Sequence, residues 1–451
     1  MKSAVIILAA GLGTRMESEL PKVLHKVASS PLLIHSIQTA LDINAQKIII
    51  VAGHGAELVK DVALDYNHKA EIVIQSEQLG TAHAVDQARE ALKDFDGDVF
   101  VLYGDTPFID AEILTKMSDA RTDGASIVVL GFETEIPSSY GRLILESNGD
   151  LDAIIEAKDT NKDQKKINFC NSGVICAPRK LLFELINEID NTNANNEYYL
   201  TDIIKLARKR NLDCATVHCP KENAMGINSR VELAEAEAYF QKTTRTKMML
   251  NGATLVDPET VWFAFDTVVG RDVTIEQNVI FGPNTTVETG AYIHAFSHIE
   301  GAHISTGAIV GPYARLRPGA ELANNSKVGN FCEVKNAQVG EGAKINHLSY
   351  IGDATIGDNA NVGAGTITCN YDGVSKHHTE IGERAFIGSN TALVAPIRVG
   401  NDAMTGSGSV INKNIPDGAL GLGRARQEIK EGFALKILNK LKSAKIDANK
   451  D

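Results

Sequence analysis

No window of the 451 residues approaches 18 consecutive apolar residues, so nothing in the chain is built to span a bilayer as a helix. Aromatic residues are scarce at 6%, while Gly reaches 38, a combination that points to a repetitive, turn-rich segment. Cations are also in short supply. Lys and Arg number 45 against 57 Asp and Glu, and the net charge of −12 disfavours a nucleic-acid partner. A phosphorylated small substrate stays open, because a few well-placed basic residues suffice for it. Cysteine is thin and scattered: Cys170, Cys176, Cys214, Cys219, Cys332 and Cys369 show no CxxC and no zinc-type spacing. They read as reduced, mostly buried thiols of a cytosolic protein. Met1-Lys2-Ser3 runs straight into a strand-like segment with a glycine motif, unlike a signal peptide. The expectation is a soluble cytoplasmic protein with no membrane partner.

What remains is ordinary globular composition, 43% hydrophobic and 23% charged, in a chain long enough for more than one core. The first half alternates short β-branched runs (4–10, 47–52, 71–75, 99–103, 126–132) with helical stretches such as 31–43 and 82–92. That order predicts a largely parallel sheet covered on both faces, with ligands at the carboxyl ends of its strands. Residues 229–250, rich in Ala, Glu, Lys and Leu and free of Gly and Pro, predict a long connecting helix.

Beyond it an aliphatic residue recurs every six positions, through Val269, Ile275, Phe281, Val287, Ile293 and Ile299. After a slip of one the series continues at Ile304, Val310, Leu316, Leu322, Val328 and Val334. Further slips give Val339, Ile345 and Ile351, then Ile356 and Val362. An interruption near 368–380 precedes Ile381, Ile387, Leu393 and Val399. Period six is neither a helical face nor simple alternation. It is the hexapeptide signature of a parallel β-helix, whose edges are confined to its two ends. A charged tail follows Gly423, with a helix expected over 428–442. The domains read as 1–231, a linker helix over 232–252, and 253–451.

The chemistry begins at Leu8-Ala9-Ala10-Gly11-Leu12-Gly13-Thr14-Arg15-Met16, a glycine-rich turn after a buried strand. Such a turn allows close approach of a phosphate or base to backbone amides. Met16 stands where a dinucleotide fingerprint wants a third Gly, and the Gly-Lys-Ser/Thr of a Walker A is absent. Leu20-Pro21-Lys22-Val23-Leu24 follows, so Arg15 and Lys22 bring two cations near the turn, as transfer of a phosphorylated group requires.

Together these segments resemble the sugar-phosphate nucleotidylyltransferases, with their G-x-G-T-R-[ML] turn and downstream P-K. With a hexapeptide β-helix behind them, they resemble the family of bifunctional N-acetylglucosamine-1-phosphate uridylyltransferase/glucosamine-1-phosphate N-acetyltransferases, over nearly the whole chain. The resemblance implies an α/β Rossmann-like nucleotidyltransferase domain followed by a left-handed parallel β-helix. It implies UTP and UDP-sugar contacts from Leu8, Ala9, Ala10, Gly11, Lys22, Gln75, Gly80, Thr81, Tyr103, Gly104 and Asp105. It places the sugar against Gly141, Glu156 and Asn171, and Mg²⁺ on Asp105 and Asn228. An Asp, an Asn and water suit that hard ion, which also binds substrate phosphates. Arg15 and Lys22 would neutralise charge on the transferred group.

In the second half, Arg315-Leu316-Arg317 and Glu333-Val334-Lys335 carry cations outside the aliphatic core, followed by His347-Leu348-Ser349-Tyr350. The resemblance makes His347 the general base for the amine, and Arg317, Lys335, Tyr350 and Asn361 the sugar-phosphate contacts. It assigns acetyl-CoA to Ala364, Asn370, Tyr371, Ser389, Ser407 and Arg424. A near-neutral imidazole suits removal of a proton from an ammonium before attack on a thioester. Glu333 is expected to orient His347 by sequence neighbourhood alone, and the adjacent His377 and His378 read as solvated.

The leading expectation is therefore a bifunctional enzyme: acetylation of glucosamine-1-phosphate by acetyl-CoA, then UMP transfer from UTP, giving UDP-N-acetylglucosamine for cell-envelope synthesis. It carries a homotrimer held by the β-helix, since the loop 369–380 leaves the coil as an arm reaching a neighbour would. Two other readings stand beside it. One is a monofunctional nucleotidylyltransferase with a regulatory β-helix; the other is a β-helix serving assembly alone.

Overall fold

The computed structural model describes residues 2–137 and 140–448, with side chains described as far as residue 445. It divides into two compact units. One comprises residues 1–247 with 263–266, and the other 248–262 with 267–451.

In the first unit the predicted runs form one sheet, in the order Cys214–His218, Ile127–Glu133, Phe169–Pro178, Asp98–Tyr103, Ser3–Ala9, Lys47–Ala52 and Glu71–Ile74. All neighbours are parallel except Phe169–Pro178, which runs antiparallel to both of its partners. Alternation along Ser3–Ala9 explains the two layers. Ala4, Ile6 and Leu8 join an apolar cluster on one face, while Val5, Ile7 and Ala9 join another on the opposite face. The helices Leu32–Asp42, Ala56–Tyr66 and Ala111–Thr122 bury residues in the second cluster. Arg179–Ile186 and Asp202–Lys209 bury theirs in the first. The carboxyl ends of the parallel strands are thereby collected on one rim, the usual place for a ligand in such a sheet.

Two helices differ from their expected extents. The stretch 82–92 is helical only over Thr81–Asp86, because the chain then tightens into bonds three residues apart, such as Ala88 to Val85 and Arg89 to Asp86. The tail helix is Phe433–Ala448 and starts late, after Gly432 takes a left-handed φ of 69°. The long helix lies at Arg230–Leu250.

The second unit is a left-handed parallel β-helix of short strands stacked in register. Ile275 pairs with Ile293, Ile293 with Val310, Val310 with Val328, Val328 with Ile345 and Ile345 with Val362. The repeat residues point inward: Ile293, Val310, Val328, Ile345 and Ile387 are fully buried. Each coil therefore advances 17 or 18 residues, three repeats, and a residue on one coil lies beside the residue one coil later on the next. Between Val362 and Ile387, also paired, the longer loop is inserted. Several corners turn through left-handed residues, among them Asn278, Asn325 and Asn359, whose short polar side chains tolerate that conformation.

Candidate functional sites

The glycine-rich turn of the first unit is built by close packing. Gly13 adopts a φ of 61°, and a Cβ there would meet Lys22 Cβ at 2.7 Å, so only glycine lets the turn lie against Lys22. Lys22 in turn donates to the Asp105 carboxylate and, at 3.0 Å, to Asn228 Oδ1. Three residues spread over 206 positions thus meet at one ammonium. Asp105 stands just past the central strand Asp98–Tyr103, and Gly104 beside it donates its N–H to the Leu8 carbonyl at 2.9 Å.

Behind this point lies a cavity of about 300 Å³ lined by Leu8, Ala9, Ala10, Gly11, Lys22, Gln75, Gly80, Thr81, Tyr103 and Asp105. Gln75 is buried, and its amide nitrogen lies 3.2 Å from the Gly80 carbonyl and 3.1 Å from His83 Nδ1. Gly80 (φ 115°) presses against the Tyr198 backbone, where a Cβ would come within 2.5 Å of the carbonyl oxygen. The Thr81 hydroxyl accepts from the Leu200 N–H at 3.0 Å. A second cavity, about 390 Å³, shares Thr81, Tyr103 and Glu197 with the first and adds Tyr140, Gly141, Glu156, Lys158, Asn171, Tyr199 and Thr201. The two form one cleft with an apolar end and a polar end.

Electrostatics differ along that cleft. Burial raises the Glu156 carboxyl above the ordinary carboxylate range, and repulsion from Asp159, Asp202 and Glu197 adds to it, against a 3.0 Å hydrogen bond from the Thr201 hydroxyl. Burial, then Glu156 and Asp105, also push the Tyr103 phenol well up. Asn171 is held by its side-chain oxygen, which accepts from the Gly173 N–H at 2.9 Å. Arg15 is exposed and lines neither cavity. Gln78 lines the first cavity from within the segment 75–82, whereas no sequence motif marks Glu197 and Thr201, which stand in a stretch that folds back over Gly80 through Tyr198.

In the β-helix the candidate residues fall into columns. Asn330 pairs with His347, and the same ladder joins Ile345 to Val362 and Val362 to Ile387. Two residues further on, that register puts Ala364 beside His347 and Ser389 beside Ala364. The backbone agrees: Gly365 donates to the His347 carbonyl, Asn390 to Ala364, and Gly408 to Ser389. Ser407 follows on the next coil, since a Cβ on Gly388 would touch its nitrogen. Arg424 lies exposed beyond the last coil strand, and Asn361 pairs with Lys344 and Phe386.

A second column carries Arg315, Glu333 and Tyr350, with Arg317 and Lys335 two places along. Here one expectation needs correction. Glu333 accepts from Arg317 Nη1 at 2.8 Å, while His347 Nδ1 lies 2.6 Å from Asn330 Oδ1. The coil length decides it: 330 and 347 differ by one coil, as do 333 and 350, so Glu333 faces Tyr350. Lys335 lies beside Lys376 of the inserted loop, and that second ammonium, then desolvation and the Arg317 charge, lower its pKa. Asp353 balances them, accepting from Asn336 at 2.6 Å and from Asn370, and sits below the ordinary aspartate range. Tyr371 is exposed in the same loop. His377 is tied to Asp372 at 2.6 Å, and His378 to Thr355 at 3.0 Å.

Comparison with known proteins fits both units. A MobA-like NTP transferase domain matches residues 5–187. The chain is 58% identical over 445 residues to the bifunctional protein GlmU of Roseobacter denitrificans, covering 99% of this chain and 98% of that one. It is 54% identical to that of a Ruegeria species over 445 residues, 99% of both chains. It is 52% identical to that of a Jannaschia species over 448 residues, 99% of this chain and 98% of that one. The chain belongs to the GlmU family. GlmU membership favours the two-activity enzyme, a sugar-phosphate uridylyltransferase and acetyltransferase, over a β-helix kept for regulation or assembly. A UDP-glucose pyrophosphorylase complexed with UDP-glucose is a remote structural likeness, at 18% identity and a TM-score of 0.44 over 54% of this chain and all of that one. Among the described residues no helix is long and apolar enough to cross a membrane.

Proposed function

We propose that the first unit transfers UMP from UTP to N-acetylglucosamine-1-phosphate and that the β-helix first makes that sugar phosphate, acetylating glucosamine-1-phosphate with acetyl-CoA. The domains would then be 1–231, a linker over 232–252, and 253–451. The observation that carries the first activity is the convergence of Lys22, Asp105 and Asn228 at the mouth of a cleft with an apolar and a polar end. The nucleotide base lies toward Gln75 and Gly80, and the sugar toward Gly141, Glu156 and Asn171. The sugar-1-phosphate oxygen attacks the α-phosphorus in line and pyrophosphate leaves. The attacking phosphate is already anionic, so no side chain has to remove a proton. Positioning and charge neutralisation do the work, with Lys22 at the turn and Arg15 free to reach the leaving group.

The donor set fits Mg²⁺. Asp105 and Asn228 each turn a side-chain oxygen toward the Lys22 ammonium, which marks a spot where a cation is stabilised. Bound there by Asp105 and Asn228, the ion would neutralise charge on the phosphates.

In the β-helix, His347 takes the proton from the substrate ammonium, and Asn330 fixes its ring by accepting at Nδ1–H. Arg317, Lys335, Tyr350 and Asn361 hold the sugar phosphate. The column Ala364, Ser389, Ser407 and Arg424, with Asn370 and Tyr371, holds acetyl-CoA. The assembly is a homotrimer. Support comes from an exposed ridge at the corner beside His347: Phe296 stacks on Tyr313 at 4.8 Å, Tyr313 on Phe331 at 5.2 Å, and Leu348 continues it, 63% exposed. Such a ridge is better covered by another copy than left in water. The co-substrates and free thiols fit a cytoplasmic site of action. The test is to follow CoA release and pyrophosphate release separately on the purified chain, with light scattering for its mass. Absence of either product removes the corresponding half of the reading.

A further inference from the structure

The start of the long helix grips the nucleotide site from two directions. Ser229 and Glu232 form a capping pair: the Glu232 carboxylate accepts from the Asn228 N–H at 2.7 Å and from the Ser229 hydroxyl at 3.1 Å. Ser229 Oγ accepts from the Glu232 N–H at 3.3 Å. This fixes Asn228, whose side chain holds Lys22. Two residues on, the Arg230 guanidinium donates to the Met16 carbonyl at 3.2 Å and lies 3.2 Å from His25 Nδ1. Met16 closes the glycine-rich turn, with its N–H bonded to Gly13 at 2.9 Å. His25 closes the turn that carries Lys22, its N–H bonded to the Lys22 carbonyl at 3.2 Å. Burial and the facing Arg230 charge lower His25, with the Leu20 carbonyl opposing them, which keeps the ring neutral and able to accept. Met16 and His25 are both buried, so each offers Arg230 a fixed anchor.

We propose that Arg230 is a positioning residue for uridylyl transfer. It ties the glycine-rich turn and the Lys22 turn to the segment that carries Asn228, so that the three move as one piece when UTP binds. Arg230 itself lines neither cavity, and it acts only through Met16 and His25. The proposal rests on the uridylyltransferase reading of this cleft.

The experiment uses the full chain and both product assays. In Arg230→Ala, kcat for pyrophosphate release should fall about 10- to 100-fold, the scale of a small misplacement of reacting groups, and KM for UTP should rise. KM for N-acetylglucosamine-1-phosphate should stay within about twofold, because Gly141, Glu156 and Asn171 lie in the other cavity. CoA release should match the wild type, which separates positioning from general loss of fold. Arg230→Lys keeps a donor for the Met16 carbonyl but not both bonds, and should fall between the two. Unchanged kcat in Arg230→Ala would overturn the proposal. So would an equal rise in both KM values, or loss of CoA release in parallel. A wild-type chain that releases no pyrophosphate would overturn the underlying reading instead, and that control is read first.

Discussion

The two units gather their functional residues by opposite means. In the first, Lys22, Asp105 and Asn228 come from segments 83 and 123 positions apart: a short turn, the end of the central strand and the approach to the long helix. In the second, His347, Ala364, Ser389 and Ser407 are neighbours because each lies about one coil beyond the last. The α/β unit gathers its candidate residues by long-range convergence, and the solenoid gathers its own by repetition.

The largest effect expected is Asp105→Ala. It removes the carboxylate at the centre of the first cluster and should abolish Mg²⁺-dependent pyrophosphate release while CoA release stays near wild type. Loss of both products would break the contrast. His347→Ala comes next, with a fall in CoA release of about two orders of magnitude or more, the scale of a lost general base. Pyrophosphate release from added N-acetylglucosamine-1-phosphate should not change. An unimpaired variant at neutral pH would remove His347 from the reaction.

A core substitution sharpens the comparison in stability. Ile345 is fully buried in the coil that presents His347, so Ile345→Ala should cost about 2–5 kcal/mol. That loss should appear in the β-helix unfolding step, with the first unit's step in place; a shift of both would mean that the two unfold as one.

The smallest effect is Glu156→Gln. Because its folded pKa is raised, ionised Glu156 costs stability; the cost is full above the raised value and gone below the ordinary glutamate value. The amide should thus raise the melting temperature of the first unit at neutral pH and lose that advantage on acidification through this window. Uridylyl transfer should weaken at the same time. An amide variant less stable at neutral pH would contradict the burial and repulsion assigned to Glu156.

How much of this the sequence carries also differs between the units. The six-residue period names the inward residues of the β-helix one by one, down to the slip between Ile299 and Ile304, where one strand ends at Ile299 and the next closes at Ile304. Counted by coils rather than by neighbourhood, the same period also gives His347 its partner, Asn330; proximity in sequence pointed to Glu333 instead. In the first unit the strands and the glycine-rich turn are legible from local pattern. The loop that brings Glu197 and the Tyr198 backbone over Gly80 is not, because nothing local encodes a contact across 118 residues. Lys376 escaped for a third reason: it sits in an inserted loop outside the period, where coil counting no longer applies.

The central claim, two separable activities encoded in one chain, is tested most directly by mixing. Asp105→Ala and His347→Ala are each supplied with glucosamine-1-phosphate, acetyl-CoA, UTP and Mg²⁺, alone and together, and UDP-N-acetylglucosamine is measured. Asp105→Ala alone should stop at the acetylated sugar phosphate, and His347→Ala alone should make little of either product. The mixture should form the nucleotide sugar, because each variant supplies the step the other lacks. A mixture no more productive than the better single variant would contradict it.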